Sequence, residues 1–292
     1  MASSSNRIPN LANPFNIMEL FTPLKNYQYL EQCEQFPFNS QADKHDKHNA
    51  WWLAELSGLI YHEQAYVRQK LKQAFNVNDN AITWLHGSER DTQGVMIELD
   101  DCYIIAFRGT EFYTPRLLSL SRLRSVRKDL ITDLDFPKRQ DPLINHISMH
   151  NGFLDALKEI WPTIKQKTQA NSKTLWLTGH SMGGAISAAA ALIDSSRVKG
   201  LYTYGMPCLG GDDLAEYCEE HLANKIFRYV NENDFVVNVM PQFLSGYSHC
   251  GEEKKLELEK HNSPFEFIGD VFKLDIIDHS PLFYMLGTRQ AI

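Results

Sequence analysis

Lys173-Thr-Leu-Trp-Leu-Thr-Gly179-His180-Ser181-Met182-Gly183-Gly-Ala-Ile-Ser-Ala-Ala-Ala-Ala-Leu-Ile-Asp194 is the stretch whose reading decides the fold. A short apolar strand, Leu175 to Leu177, runs into a serine flanked by glycines, and an Ala-rich helical stretch follows at once. This is the strand–turn–helix setting of a nucleophile elbow. Such a turn holds Ser181 in a strained backbone conformation with its hydroxyl presented. Side chains two positions either side would strike the neighbouring strand or helix, so Gly179 and Gly183 carry none. The bare pattern Gly-x-Ser-x-Gly arises by chance in about one chain in ten of this length. The strand before it and the helix after it make it informative.

Composition sets the frame. The chain has 292 residues, 43% of them hydrophobic, enough for a sizeable core. Its net charge of −7 argues against a nucleic-acid partner. No apolar run is long enough for a transmembrane segment. The opening Met-Ala-Ser-Ser-Ser-Asn-Arg shows no Sec-type signal peptide. Location is therefore open between the cytoplasm and non-Sec export, with the protein peripheral at membranes. Five dispersed cysteines, Cys33, Cys102, Cys208, Cys218 and Cys250, read as free thiols. No Cys-x-x-Cys or His-Glu-x-x-His motif is present, so no metal or other cofactor is expected.

Residues 1–45, polar and aromatic with four prolines, read as an N-terminal extension, and 46–292 as one domain. Two helices are expected over 48–75, split near His62-Glu63, with Trp51, Trp52, Leu56, Leu59 and Ile60 on one face. Strands are expected at 81–85, 95–99 and 102–107, with Asp100-Asp101 as a hairpin turn. A helix near 117–128 and another over 152–170 follow, the latter with Pro162 as a candidate kink. Beyond the elbow come a strand at 198–204, a helix over 210–223, a strand at 225–230 and a last helix from about His279-Ser280. Strands alternating with helices give an α/β fold, a mostly parallel central sheet covered on both faces.

A serine hydroxyl needs a histidine to take its proton and a carboxylate to orient that histidine. In this layout they follow in the order Ser, acid, His, in loops after strands. Asp234, after the strand that ends at Val230, is the best acid. Asp212 and Asp213 read instead as a helix N-cap. Of the later histidines, His261 reads as surface. His279, before an apolar helix, is preferred on local grounds, with His249 as the alternative. The backbone N–H of Met182 is placed to bind an oxyanion.

With these residues assembled, the chain resembles the class 3 lipases, an α/β-hydrolase family. Phe107-Arg108-Gly109-Thr110 resembles the family's oxyanion-loop strand, and His150-Asn-Gly-Phe153 its His-x-Gly-Phe element. Thr178 to Ala185 is similar to its elbow, and Thr203-Tyr204-Gly205-Met206-Pro207 to the strand after it. Arg228 to Val236 resembles the segment carrying its aspartate, with Pro241 beyond. Tyr247-Ser-His249-Cys-Gly251-Glu resembles a motif whose histidine is not catalytic, and Asp278-His279 with Tyr284 beyond resembles the catalytic histidine site. The resemblance implies a Ser181–His279–Asp234 triad, with Thr110 supplying the second oxyanion donor. Arg108 then anchors the oxyanion loop through Asp129 or Asp133.

The resemblance also places a lid between Thr110 and Asp129. There Arg116, Arg122, Arg124, Arg127 and Lys128 mix with Leu117, Leu118, Leu120, Leu123 and Val126. Apolar side chains facing acyl chains, with arginines facing phosphates, suit a lipid surface. The competing reading is a solvated basic loop. Two departures stand out: Cys208 where the family often has Arg, and a longer lid segment. The implied activity is hydrolysis of lipid acyl esters at an interface, as a phospholipase A1 or a triacylglycerol lipase, with phospholipid, glycolipid or triacylglycerol as substrate. The alternatives are a non-catalytic lipid-binding module, an esterase of soluble short-chain esters and, with no supporting feature, a serine peptidase.

Overall fold

The computed structural model describes residues 27–109, 137–144, 147–231, 234, 236–237, 246–256 and 278–292. Seven strands form the central sheet. β1 (Ile82–His86), β2 (Gln93–Glu98) and β3 (Cys102–Phe107) make an antiparallel meander, with 99–101 as the turn between β2 and β3. A separate pair, β4 (Lys138–Gln140) and β5 (Ser148–His150), lies outside it. β6 (Thr174–His180), β7 (Val198–Tyr204), β8 (Ile226–Asn231) and β9 (Glu252–Leu256) continue from β3 in parallel. The order β1-β2-β3-β6-β7-β8-β9 makes four of the six pairings parallel, as the alternation of strands and helices implies.

Helices cover both faces. α1 (Lys47–Leu59), α2 (Gln64–Phe75) and α6 (Pro281–Gln290) lie on one. α3 (Asn151–Thr168), α4 (Met182–Ile193) and α5 (Asp212–Leu222) lie on the other. Strand periodicity sorts the core between them. Ile104, Ala106, Trp176, Tyr202 and Tyr204 pack toward α1, while Tyr103, Ile105, Phe107, Leu175 and Leu177 pack toward α4. α3 runs on through Pro162. The five cysteines are free thiols. The helix expected near 117–128 lies outside the described residues.

Three details differ from the sequence expectation. First, α1 has no exposed face: Asn49 through Leu59 are all buried, because residues 27–36 pack on its outer side. Second, Asp212 and Asp213 are the first two helical residues of α5, and its N-cap is Gly211. Third, β9 carries no alternating apolar signal in Glu252-Glu-Lys-Lys-Leu256. It forms at the sheet edge by backbone pairing with β8, with Leu256 as its one buried side chain, and its charged residues discourage further strands.

Burying α1 all round submerges Glu55. Its carboxylate accepts from Tyr27 Oη at 2.5 Å, Leu30 N at 2.9 Å and Trp51 Nε1 at 3.2 Å. The Arg289 guanidinium, from the last turn of α6, lies over the rings of Phe36 and Trp51 at 4.2 and 4.6 Å. Burial pushes the Glu55 carboxyl from 4.5 up to about 7, against the opposing pull of its hydrogen bonds. The folded state therefore holds this proton more tightly than the unfolded chain, so the stabilisation is present in acid and lost as pH rises through about 7. Urea denaturation should show the wild type losing about 2–3 kcal/mol relative to Glu55→Gln between about pH 5 and pH 8. A pH-independent difference between the two proteins would refute this account of Glu55.

Candidate active site

β6 ends at His180 and α4 begins at Met182, which leaves Ser181 alone to make the turn. Its backbone sits at φ 56° and ψ −128°, a region that side-chain-bearing residues rarely enter. The turn is fixed on both sides. Ser181 N–H donates to the Tyr204 carbonyl at 2.9 Å, and its own carbonyl accepts from Gly184 N at 2.9 Å and Ala185 N at 3.3 Å. The flanking glycines permit this. A Cβ on Gly179 would lie 2.2 Å from the Gly183 carbonyl carbon, and one on Gly183 would lie 2.2 Å from the Phe107 carbonyl oxygen. Helix α4, its own elbow and strand β3 thus meet backbone to backbone. Met182 opens α4 directly after the serine, at the end where helix dipoles sum to positive potential.

Asp234 follows β8 and is fully buried. Its N–H returns to the Asn231 carbonyl at 2.9 Å, and Oδ1 accepts from Val236 N at 2.8 Å. His279 Nδ1 lies 3.0 Å from Oδ1 and 2.8 Å from Oδ2. Carboxylate oxygens only accept, so Nδ1 carries the proton, and in the neutral ring Nε2 carries the lone pair. Tyr284, in the first turn of α6, donates its Oη–H to Asp234 Oδ2 at 2.5 Å and accepts from Asn231 N at 3.2 Å. The His279 ring lies 4.6 Å, centroid to centroid, from that of His180, the residue before Ser181.

The structure thus brings Ser181, Asp234 and His279 to one edge of the sheet and puts His249 elsewhere. His249 Nε2 contacts the Val237 carbonyl at 3.1 Å, and burial, reinforced by the nearby Arg228 charge, pulls its pKa down to about 4. Arg108 Nη1 donates to Gln93 Oε1 at 2.5 Å, and its Nη2 lies 3.9 Å from Asp91 Oδ2. Thr110, Asp129, Asp133 and the expected lid residues Arg116, Leu117, Leu120, Arg122, Leu123, Arg124 and Arg127 lie outside the described residues. Among the described residues no cluster of three or more His, Cys, Asp or Glu is arranged to hold a metal ion. No described helix is long and apolar enough to cross a membrane.

Two contributors escaped the sequence reading. Gly205, at the end of β7, has φ +61°, and a Cβ there would lie 2.7 Å from Asp234 Oδ2 and 2.9 Å from His279 Nδ1. Its signal was a glycine closing an apolar strand, but which groups crowd it is a tertiary matter. Asn231 donates through Nδ2 to the Asp278 carbonyl at 3.0 Å and so holds the turn that carries His279.

Sheet order, elbow and Asp–His turn together define an α/β-hydrolase fold. The mono- and diacylglycerol lipase from Aspergillus oryzae shares it, with TM-score 0.58 at 19% identity over 80% of this chain and 95% of that one. The lipase from Rhizopus microsporus var. chinensis does so with TM-score 0.53 at 20% identity, over 77% and 80%. Residues 104–244 match the lipase (class 3) family. A secreted mono- and diacylglycerol lipase of Fusarium solani is 30% identical over 186 residues, and a lipase of Rhizomucor miehei is 33% identical over 138. These alignments cover 56% and 43% of this chain, and they span 55% and 38% of the two relatives' lengths. The family match and these relatives support the class 3 lipase family for this chain.

Gly205→Ala should test the crowding at the Asp234–His279 pair. The variant must displace Asp234 or His279 and also places a Cβ at positive φ. Labelling by a fluorophosphonate should slow by about 10²-fold, as expected for a catalytic group misplaced by about 1 Å. Labelling at the wild-type rate would show that the pair tolerates the added methyl.

Proposed function

We propose that this protein is a carboxylic ester hydrolase acting on acyl esters of glycerolipids through a Ser181–His279–Asp234 triad. The observation that carries this reading is the fully buried Asp234–His279 hydrogen bond beside a strained Ser181 elbow. Ser181 Oγ attacks the ester carbonyl carbon as its proton passes to His279 Nε2. Asp234 holds the imidazole in the required tautomer and stabilises the imidazolium. The oxyanion is met by the Met182 N–H and, as the resemblance implies, by that of Thr110; losing one such donor costs about 3 kcal/mol. His279 then gives its proton to the departing alcohol oxygen. Water, deprotonated by the same imidazole, attacks the acyl-enzyme, releases the fatty acid and restores Ser181.

The class 3 lipase match and relatives named as mono- and diacylglycerol lipases support an acylglycerol substrate. A second reading, phospholipase A1, rests on the basic and apolar residues between Arg116 and Lys128, which suit an anionic lipid surface.

Fatty-acid release should be measured in parallel on monoolein, diolein, triolein and phosphatidylcholine vesicles with distinct sn-1 and sn-2 chains. Release from the acylglycerols supports the first reading, and mainly sn-1 release from the vesicles the second. Ser181→Ala, His279→Ala and Asp234→Asn should each lower turnover by about 10³–10⁴-fold with the fold retained. Turnover retained by Ser181→Ala would refute the mechanism.

A further inference from the structure

His180 lies between the nucleophile and the base, and the reaction as written makes no use of it. The ring is buried, and both of its nitrogens are engaged. Nε2 lies 2.6 Å from the backbone carbonyl of His279, and Nδ1 lies 3.0 Å from Tyr61 Oη. A carbonyl only accepts, so Nε2 carries the proton. Burial, and then the neighbouring His279, hold His180 well below its ordinary pKa, so the ring is neutral. Nδ1 is therefore the acceptor, and Tyr61 donates to it. Tyr61 follows α1 and has come 119 residues along the chain to make this contact.

Given the ester-hydrolase reading above, we propose that Tyr61 and His180 are positioning residues that set the placement of His279 against Ser181. The turn that carries His279 is clamped at two successive carbonyls. Asn231 holds that of Asp278 and His180 holds that of His279. The second clamp comes from the residue bonded to Ser181, so nucleophile and base share one rigid reference.

Tyr61 makes the clamp selective. With its hydroxyl donating to Nδ1, only the Nε2–H tautomer of His180 is favourable. Without that hydroxyl the ring can move its proton to Nδ1, and its Nε2 lone pair then faces the carbonyl it should hold. Neutrality matters too. With centroids 4.6 Å apart, a charged His180 would oppose the imidazolium that forms on His279 during turnover. The same pair also reaches Gly109, just past the end of β3. A Cβ on Gly109 would lie 2.3 Å from Tyr61 Oη, 2.6 Å from the His180 carbonyl oxygen and 3.4 Å from Ser181 Cβ.

The test uses the full chain with p-nitrophenyl butyrate, a soluble ester that needs no interface, and fluorophosphonate labelling alongside. The proteins are wild type, Ser181→Ala, Tyr61→Phe, His180→Leu and His180→Gln. Tyr61→Phe should lower kcat by about tenfold, and His180→Leu by about 10²-fold, with KM changed by less than about twofold. His180→Gln keeps an N–H that reaches toward the His279 carbonyl and should recover at least about fivefold of the loss seen with leucine. Should the leucine variant not fold, Tyr61→Phe carries the test, since it removes a single oxygen atom and little volume.

Folded Tyr61→Phe and His180→Leu proteins with wild-type kcat overturn the positioning role alone. Loss of kcat that glutamine does not relieve overturns it as well, because a packing defect then accounts for the effect. A wild type that Ser181→Ala matches in both assays overturns the ester-hydrolase reading and this proposal with it.

Discussion

The strained backbone of Ser181 is the constraint on which the site depends. A residue with a side chain at φ 56° and ψ −128° costs about 1–3 kcal/mol and persists only where its surroundings over-determine it. Here the surroundings are main chain. The Tyr204 carbonyl from β7 and the first N–H groups of α4 grip the peptide on either side. Phe107 of β3 closes against Gly183 with no room for a side chain. The parallel pairing of β3, β6 and β7 brings these carbonyls to one edge of the sheet. The strain is thus balanced by hydrogen bonding of the sheet itself.

The Asp234–His279 pair obeys a different rule. A carboxylate buried as fully as Asp234 is costly unless donors occupy its lone pairs. His279 Nδ1–H, Tyr284 Oη–H and Val236 N–H occupy them from three directions, and the same donors fix its orientation. Satisfying the buried carboxylate and orienting the His279 ring are one arrangement. Gly205 keeps the neighbouring space empty enough for both groups.

Through α6 the pair is tied to parts of the chain far from the chemistry. Tyr284 and Arg289 sit on the same short helix, and α1 packs along it. Arg289 stacks over Trp51 of α1 and Phe36 of the preceding segment. Glu55, on α1, gathers Tyr27 and the Leu30 backbone at the same junction. Residues 27–36 therefore brace the helix that follows His279, and Tyr61, just past the end of α1, reaches the elbow from the same side.

The sequence by itself determined the elbow, most strand boundaries and the parallel character of the sheet. β3 and β7 fall on the expected residues because apolar runs and glycine placement act over a few residues. It also contained the order Ser181, Asp234 and then a histidine, with His279 preferred on local grounds and His249 as the alternative. Only the tertiary structure decided which imidazole meets Asp234, a contact 45 residues apart. It alone decided the edge strand β9, whose charged residues pair through backbone, and the burial of Glu55. The Tyr61–His180–His279 chain belongs here too, with contacts 119 and 99 residues apart. The physical reason is range. Periodicity and turn strain are written in neighbouring residues, whereas burial and hydrogen-bond partners depend on which distant segments the sheet brings together.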